Sequence, residues 1–140
     1  MKPKILYAIL GATATGFLLG WLIFGIILDT YYKTHTVPYA GLMKDPPLIW
    51  AILIMNMSFA ILLVYIFHYL ANITTFIKGF TAGITIFLLI MVGFDISMYG
   101  FMNLYSFQVL IVDIFANTLM GGVVGGVAGL ILGMGPKTAG

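Results

Sequence analysis

Along the chain, polar positions are scarce and bunched, and between them lie four long apolar runs. The first extends from about Ile5 to Leu28 and the second from about Leu48 to Leu70. The third extends from about Ile77 to Met98 and the fourth from about Phe107 to Leu132. Each holds about 20 residues or more, which at ~1.5 Å rise per residue crosses a hydrocarbon core of ~30 Å. The runs are apolar on every side and do not alternate, so they predict helices rather than barrel strands. Pro46 and Pro47 suit the entry of the second helix, where a missing N–H breaks no hydrogen bond. The expected fold is an all-α, integral membrane, antiparallel four-helix bundle: one transmembrane domain over residues 1–140 with a loop at about 29–47.

Composition narrows the picture further. The 140 residues are 62% hydrophobic and 7% charged, against roughly 25% charged in a soluble domain. Arg, Glu and Cys are absent, so disulfides and thiolate metal sites are excluded. A net charge of +2 without a basic stripe gives no nucleic-acid footprint. Lys2 and Lys4 make a basic start, but the first run is about twice the length of a signal-peptide core and lacks an A-x-A site. It reads as a retained span, with Asp29, Tyr31 and Tyr32 as an interfacial anchor.

Lysines set the orientation. Lys2, Lys4, Lys78 and Lys137 fall on one side of a four-span chain, Lys33 and Lys44 on the other. The positive-inside rule then puts both termini in the cytoplasm and the 29–47 loop outside. That loop is expected to lie on the membrane surface. The T-G-F-L-L-G…D-T-Y-Y of the first helix is echoed by A-G-I-T-I-F…D-I-S-M-Y in the third, the pattern that a pseudo-two-fold repeat would leave.

Small residues predict how the helices meet, because close backbone approach drives association in lipid. Gly121, Gly125, Gly129 and Gly133 recur every four residues in the fourth helix; Ala8, Ala12, Gly16 and Gly20 do so in the first. These two ridges are expected to pack on each other within the chain or across a homo-oligomer.

Candidate chemistry comes from polar groups inside the runs, which are costly in hydrocarbon. Asn56, Asp95, Asp113 and Asn117 all fall roughly 5–17 Å below the outer surface, counting ~1.5 Å per residue. Asp113 and Asn117 are one turn apart on one helix face. Two carboxyls at one depth with no intramembrane cation require that at least one be protonated or cation-bound. One reading is therefore a proton or cation site of Asp95 and Asp113 with Asn56 and Asn117 as neutral ligands; the other is a hydrogen-bonded clasp between helices. His35 and His68 fall near opposite faces, so a shared metal site is not expected, nor is a cofactor. No phosphate loop, dinucleotide fingerprint, zinc motif or nucleophile elbow occurs, which ranks an enzyme below a transport or ligand-binding protein and below an accessory subunit of a larger membrane complex.

The run F-D-I-S-M-Y-G-F-M-N-L-Y-S-F-Q-V-L-I-V-D-I-F-A-N-T-L, Phe94 to Leu119, resembles an uncharacterised family of small bacterial membrane proteins, domain of unknown function 2177. In that family an aromatic-Asp pair closes the third span and V-D-I or V-D-M opens the fourth; here these are Phe94-Asp95 and Val112-Asp113-Ile114, and Thr118 also fits. Tyr31-Tyr32 followed by Gly41-Leu42-Met43 in the first loop is similar too. The family's Trp-Pro turn is replaced by Tyr105-Ser106, and its basic turn residue is missing, so no anion contact is carried over. The layout is also similar to domain of unknown function 1761. The resemblance implies a bacterial inner-membrane protein and the two Asp, and no activity.

Overall fold

The computed structural model describes residues 3–135; Lys2 and Lys137 of the lysine count lie outside the described residues. Five helices follow one another: α1 (Pro3–Leu22), α2 (Asp29–His35), α3 (Ile49–Tyr65), α4 (Phe76–Phe101) and α5 (Phe107–Gly133). Single π-helical turns, Ile23–Ile27 and Ile66–Leu70, prolong α1 and α3. With those turns, four helices are long and apolar enough to cross a membrane: Pro3–Ile27, Ile49–Leu70, Phe76–Phe101 and Phe107–Gly133. The spans thus fall where the apolar runs predict them, and the chain is an all-α multi-pass membrane protein. Side-chain caps fix two entries: Thr75 Oγ1 accepts from Lys78 N and Ser106 Oγ from Val109 N, each at 3.4 Å.

The bundle is built around α5. Thirteen of its residues are buried, against five on α1 and four each on α3 and α4, and it packs against all three. Glycine makes this possible. On α5, Gly121, Gly125 and Gly129 meet the backbone of Gly79 and Gly83 on α4 and the Thr75 carbonyl before it. A Cβ on Gly79 or Gly83 would strike the carbonyls of Gly125 or Gly121, so the two backbones touch directly. The expectation that the α5 ridge packs on the α1 ridge is therefore corrected: its partner is Gly79-x-x-x-Gly83. The α1 row meets side chains and not the glycine seam, with Gly16 against Asn56 of α3 and Val124 of α5, and Gly20 beside Met120 of α5.

The echo between α1 and α4 does not extend to a two-fold arrangement. Under a two-fold, the broad contact of α1 with α5 would be repeated by α4 with α3, yet those two helices scarcely meet beyond the Phe59–Phe87 ring contact at 5.2 Å. Exposed side chains around the bundle are large and apolar, among them Trp21, Leu53, Leu89 and Phe115, as lipid contact requires.

Candidate functional site

Polar chemistry gathers at one end of the bundle, where α4 stops, α5 begins and Tyr32 of α2 reaches Asp113. Antiparallel packing along the glycine seam sets the register of α4 on α5 and thereby puts Asp95 opposite Asp113. Two carboxylates side by side offer only acceptors, so neither can bond the other without a proton or a cation between them. Asp95 is 2% exposed and its Oδ2 has no hydrogen-bond partner. Among the described residues, neither carboxyl has a salt bridge.

Asp113 is bonded at both oxygens. Asn117 Nδ2 donates to Oδ2 at 2.9 Å and also to the Asp113 carbonyl at 3.0 Å, the one-turn pairing that their spacing predicts. Tyr32 donates its hydroxyl to Oδ1. Tyr105, in the turn before α5, lies close enough to feel the charge of both carboxyls. Burial, then the hydrogen bond and negative charge of Asp113, hold the Tyr32 phenol far above its ordinary pKa; burial and the two Asp charges push Tyr105 the same way. Both phenols therefore stay protonated, and Tyr32 acts as a donor to Asp113.

Sequence reasoning did not find the tyrosines. Tyr32 reads as an interfacial anchor, but α2 folds over the bundle end and turns that side chain inward. The signal was in the spacing of α2, whose i,i+4 partners occupy separate faces. Lys33 Nζ pairs with Asp29 at 2.8 Å, the Tyr31 ring stacks on His35 at 4.3 Å, and Thr36 Oγ1 bonds the Tyr32 carbonyl. The segment beyond α2 is pinned on the α4–α5 turn. Thr36 and Tyr105 form an antiparallel bridge, Val37 N donates to the Leu104 carbonyl at 3.0 Å, and Tyr39 Oη donates to the Asn103 carbonyl at 3.1 Å. The loop expected on the membrane surface is thus partly a strap across the site.

Asn56 is buried but not joined to the carboxyls by any hydrogen bond. Its Nδ2 donates to the Ile52 carbonyl at 2.9 Å, and its side-chain oxygen lies over Gly16. Ser58 bonds its own helix at the Ile54 carbonyl and Ser97 is exposed. The assembled cluster is therefore Asp95, Asp113 and Asn117 from the spans, with Tyr32 and Tyr105 from the connections. Above it opens a cleft of about 660 Å³ with Thr34, His35, Tyr99, Asn103 and Tyr105 in its walls. No group of three or more His, Asp or other metal-ligating side chains occurs among the described residues. His68 lies at the far end beside Tyr69, ring centroids 4.7 Å apart. No family model matches the chain, and neither a curated protein nor a solved structure matches it significantly.

Proposed function

We propose that the Asp95–Asp113 pair is a proton or cation site through which this membrane protein carries out transport or ligand binding at the α2 end of the bundle. One observation carries the reading: Asp95 is almost wholly buried with Oδ2 unpartnered, and opposite it on α5 Asp113 accepts from Tyr32 and Asn117, with no salt bridge to either carboxyl among the described residues. A structural clasp would be expected to satisfy its oxygens, whereas Asp95 Oδ2 is left without a partner. Asn117 serves as a neutral ligand, whereas Asn56 stands apart on α3 with its side-chain oxygen over Gly16. The resemblance of Phe94–Leu119 to the small bacterial four-span family supports the same two Asp. Lysine placement supports an inner-membrane chain with both termini cytoplasmic, so that the site opens outward.

Infrared spectroscopy of the reconstituted protein tests the site. A protonated-carboxyl band that titrates with pH or cation and disappears in Asp95→Asn and Asp113→Asn is expected; its absence at every pH, without any cation response, refutes the proposal. Orientation is tested by His35→Cys and Lys78→Cys, since the chain has no native Cys. Labelling of both from one side refutes the topology. A second reading, an accessory subunit or homo-oligomer, draws on the open face of α4, where nothing lies within 4 Å of a Cβ placed on Gly93 or Gly100. Purification with a stoichiometric larger partner would favour it.

A further inference from the structure

The seam that fastens α4 to α5 leaves a groove at the end of the bundle remote from the carboxyls. Asn72, in left-handed backbone at φ 49°, reverses the chain after α3, and Ile73 N donates to the Phe67 carbonyl at 2.9 Å. The carbonyls of Thr74 and Thr75 then meet Gly133 and Gly129 of α5 so closely that a Cβ on either glycine would strike them. The connection and α4 are thus drawn onto α5, and α4 scarcely meets α3. Beside α4 lies a groove of about 430 Å³, walled by Ala71 and Ile73 of the connection and by Ile77, Lys78, Thr81 and Thr85 of α4. We propose that this groove seats an anionic phospholipid, its phosphate at Lys78 and the upper part of one acyl chain along Thr81 and Thr85. The proposal stands apart from the carboxyl site, at the opposite end of the bundle.

The depth is that of a headgroup. Lys78 stands in the first turn of a helix long and apolar enough to cross a membrane. Exposed tyrosines mark the same end: Tyr7 near the start of α1, and Tyr65 and Tyr69 where α3 and its π-helical turn finish. Amphipathic rings of this kind sit at headgroup level. The apolar stem of Lys78 can lie along the groove while its ammonium reaches the phosphate. From Lys78 to Thr85 is ~10 Å at ~1.5 Å per residue, room for the glycerol and the first carbons of a chain.

Below Lys78 the groove is apolar in effect. Thr81 Oγ1 donates to the Ile77 carbonyl and Thr85 Oγ1 to the Thr81 carbonyl, each at 3.0 Å. Both hydroxyl hydrogens are spent within α4, so the groove offers a ligand hydrocarbon surface and one ammonium. A free phosphate would find no second side-chain donor there, whereas a lipid gains the hydrocarbon contact as well.

Charge selects the headgroup. Asp29, Asp45, Asp95 and Asp113 all lie toward the α2 end of the bundle, whereas Lys4 and Lys78 lie at the groove end. Lys78 has no salt bridge among the described residues, and the positive N-terminal end of the 26-residue α4 adds to its field. Cations without an Asp beside them favour a net negative headgroup over a zwitterion, whose own ammonium they repel. Basic pockets between membrane helices hold anionic headgroups on the same ground.

Native mass spectrometry of the full chain tests the proposal, with the protein stripped of its own lipid and offered equimolar phosphatidylglycerol and phosphatidylcholine. Retention of phosphatidylglycerol about fivefold over phosphatidylcholine is expected, the scale of one lysine at a membrane surface. Lys78→Gln should bring the ratio near one. Thr85→Phe, which fills the groove from an exposed position, should do so with Lys78 intact. Lys44→Gln, at the α2 end, should leave the ratio alone. Each variant is read in preparations whose helix content by circular dichroism equals the parent's. Parity in the parent, or a preference that survives either Lys78→Gln or Thr85→Phe, overturns the proposal. So does an equal loss in Lys44→Gln, which marks general attraction without a seat. Displacement of the lipid by equimolar inorganic phosphate assigns Lys78 to a soluble anion and overturns it too.

Discussion

The glycine seam invites a paired substitution, Gly83→Ala against Gly93→Ala, because the two glycines share one helix and differ only in what faces them. At Gly93 a new methyl meets nothing within 4 Å, so the change gains only helix propensity, about 0.5–1 kcal/mol. At Gly83 the same methyl would lie 3.2 Å from the Gly125 Cα and 3.0 Å from the Gly121 carbonyl carbon, with the carbonyl oxygen nearer still. Carbon atoms pack best at about 3.5–4.0 Å. Both obstacles are backbone, so no side-chain rotation relieves them. The helices must part by several tenths of an ångström along a seam that also holds Gly79 and Gly129. Overpacking of this kind costs about 1–3 kcal/mol, which outweighs the propensity gain. Unfolding in mixed micelles of rising dodecyl sulfate fraction, followed by circular dichroism, should rank Gly83→Ala below the parent and Gly93→Ala level with it or above. Gly83→Ala as stable as Gly93→Ala would refute direct backbone contact between α4 and α5.

Asp113→Asn keeps an acceptor for Tyr32 and should leave stability nearly unchanged while removing any response to pH or cation. Asp113→Leu should cost about 1–2 kcal/mol in the same unfolding assay, the upper scale of interhelical hydrogen bonds in membranes. Val37→Pro deletes the donor to the Leu104 carbonyl, so hydrogen exchange should quicken across Asp29–His35 and stay unchanged in α5; unaltered protection of α2 would count against the strap. Alkaline titration followed by tyrosinate absorbance should show a late-ionising component that is reduced in Tyr32→Phe and in Tyr105→Phe. The sign is fixed by the raised folded pKa. Stability from the neutral phenol is whole below about pH 10, where an unfolded tyrosine titrates, and is lost as pH climbs through the higher folded value.

The spans were legible in the sequence because length and unbroken apolarity suffice to specify a membrane helix. Asp95 and Asp113 were legible for the same reason, since a carboxyl stands out in hydrocarbon and a tight turn makes its two helices neighbours. Partner choice among the glycines was not. Gly121, Gly125 and Gly129 announce a close approach, but two other rows of small residues could receive them, and only three-dimensional register selects Gly79 and Gly83. Asn56 shows the limit of reasoning by depth: it shares a level with the carboxyls but its side chain is turned to Gly16. Tyr32 was hidden by a different ambiguity. A tyrosine just past a span is an interfacial anchor when the chain runs on along the membrane surface and a buried donor when a short helix folds back.

The central position of α5 bears on the order in which the bundle is made. A chain is synthesised from its N-terminus, so α1, α3 and α4 enter the lipid before α5 does. Those three present mainly large apolar side chains, and α3 and α4 have little mutual contact. Until α5 arrives, Gly79 and Gly83 face lipid and Asp95 has no carboxyl beside it. The helix that completes the bundle is also the one that supplies Asp113 and Asn117. Assembly and site formation are therefore a single event, and an inserted but incomplete chain holds a lone acid in hydrocarbon, a mark by which quality control can tell it from the finished protein.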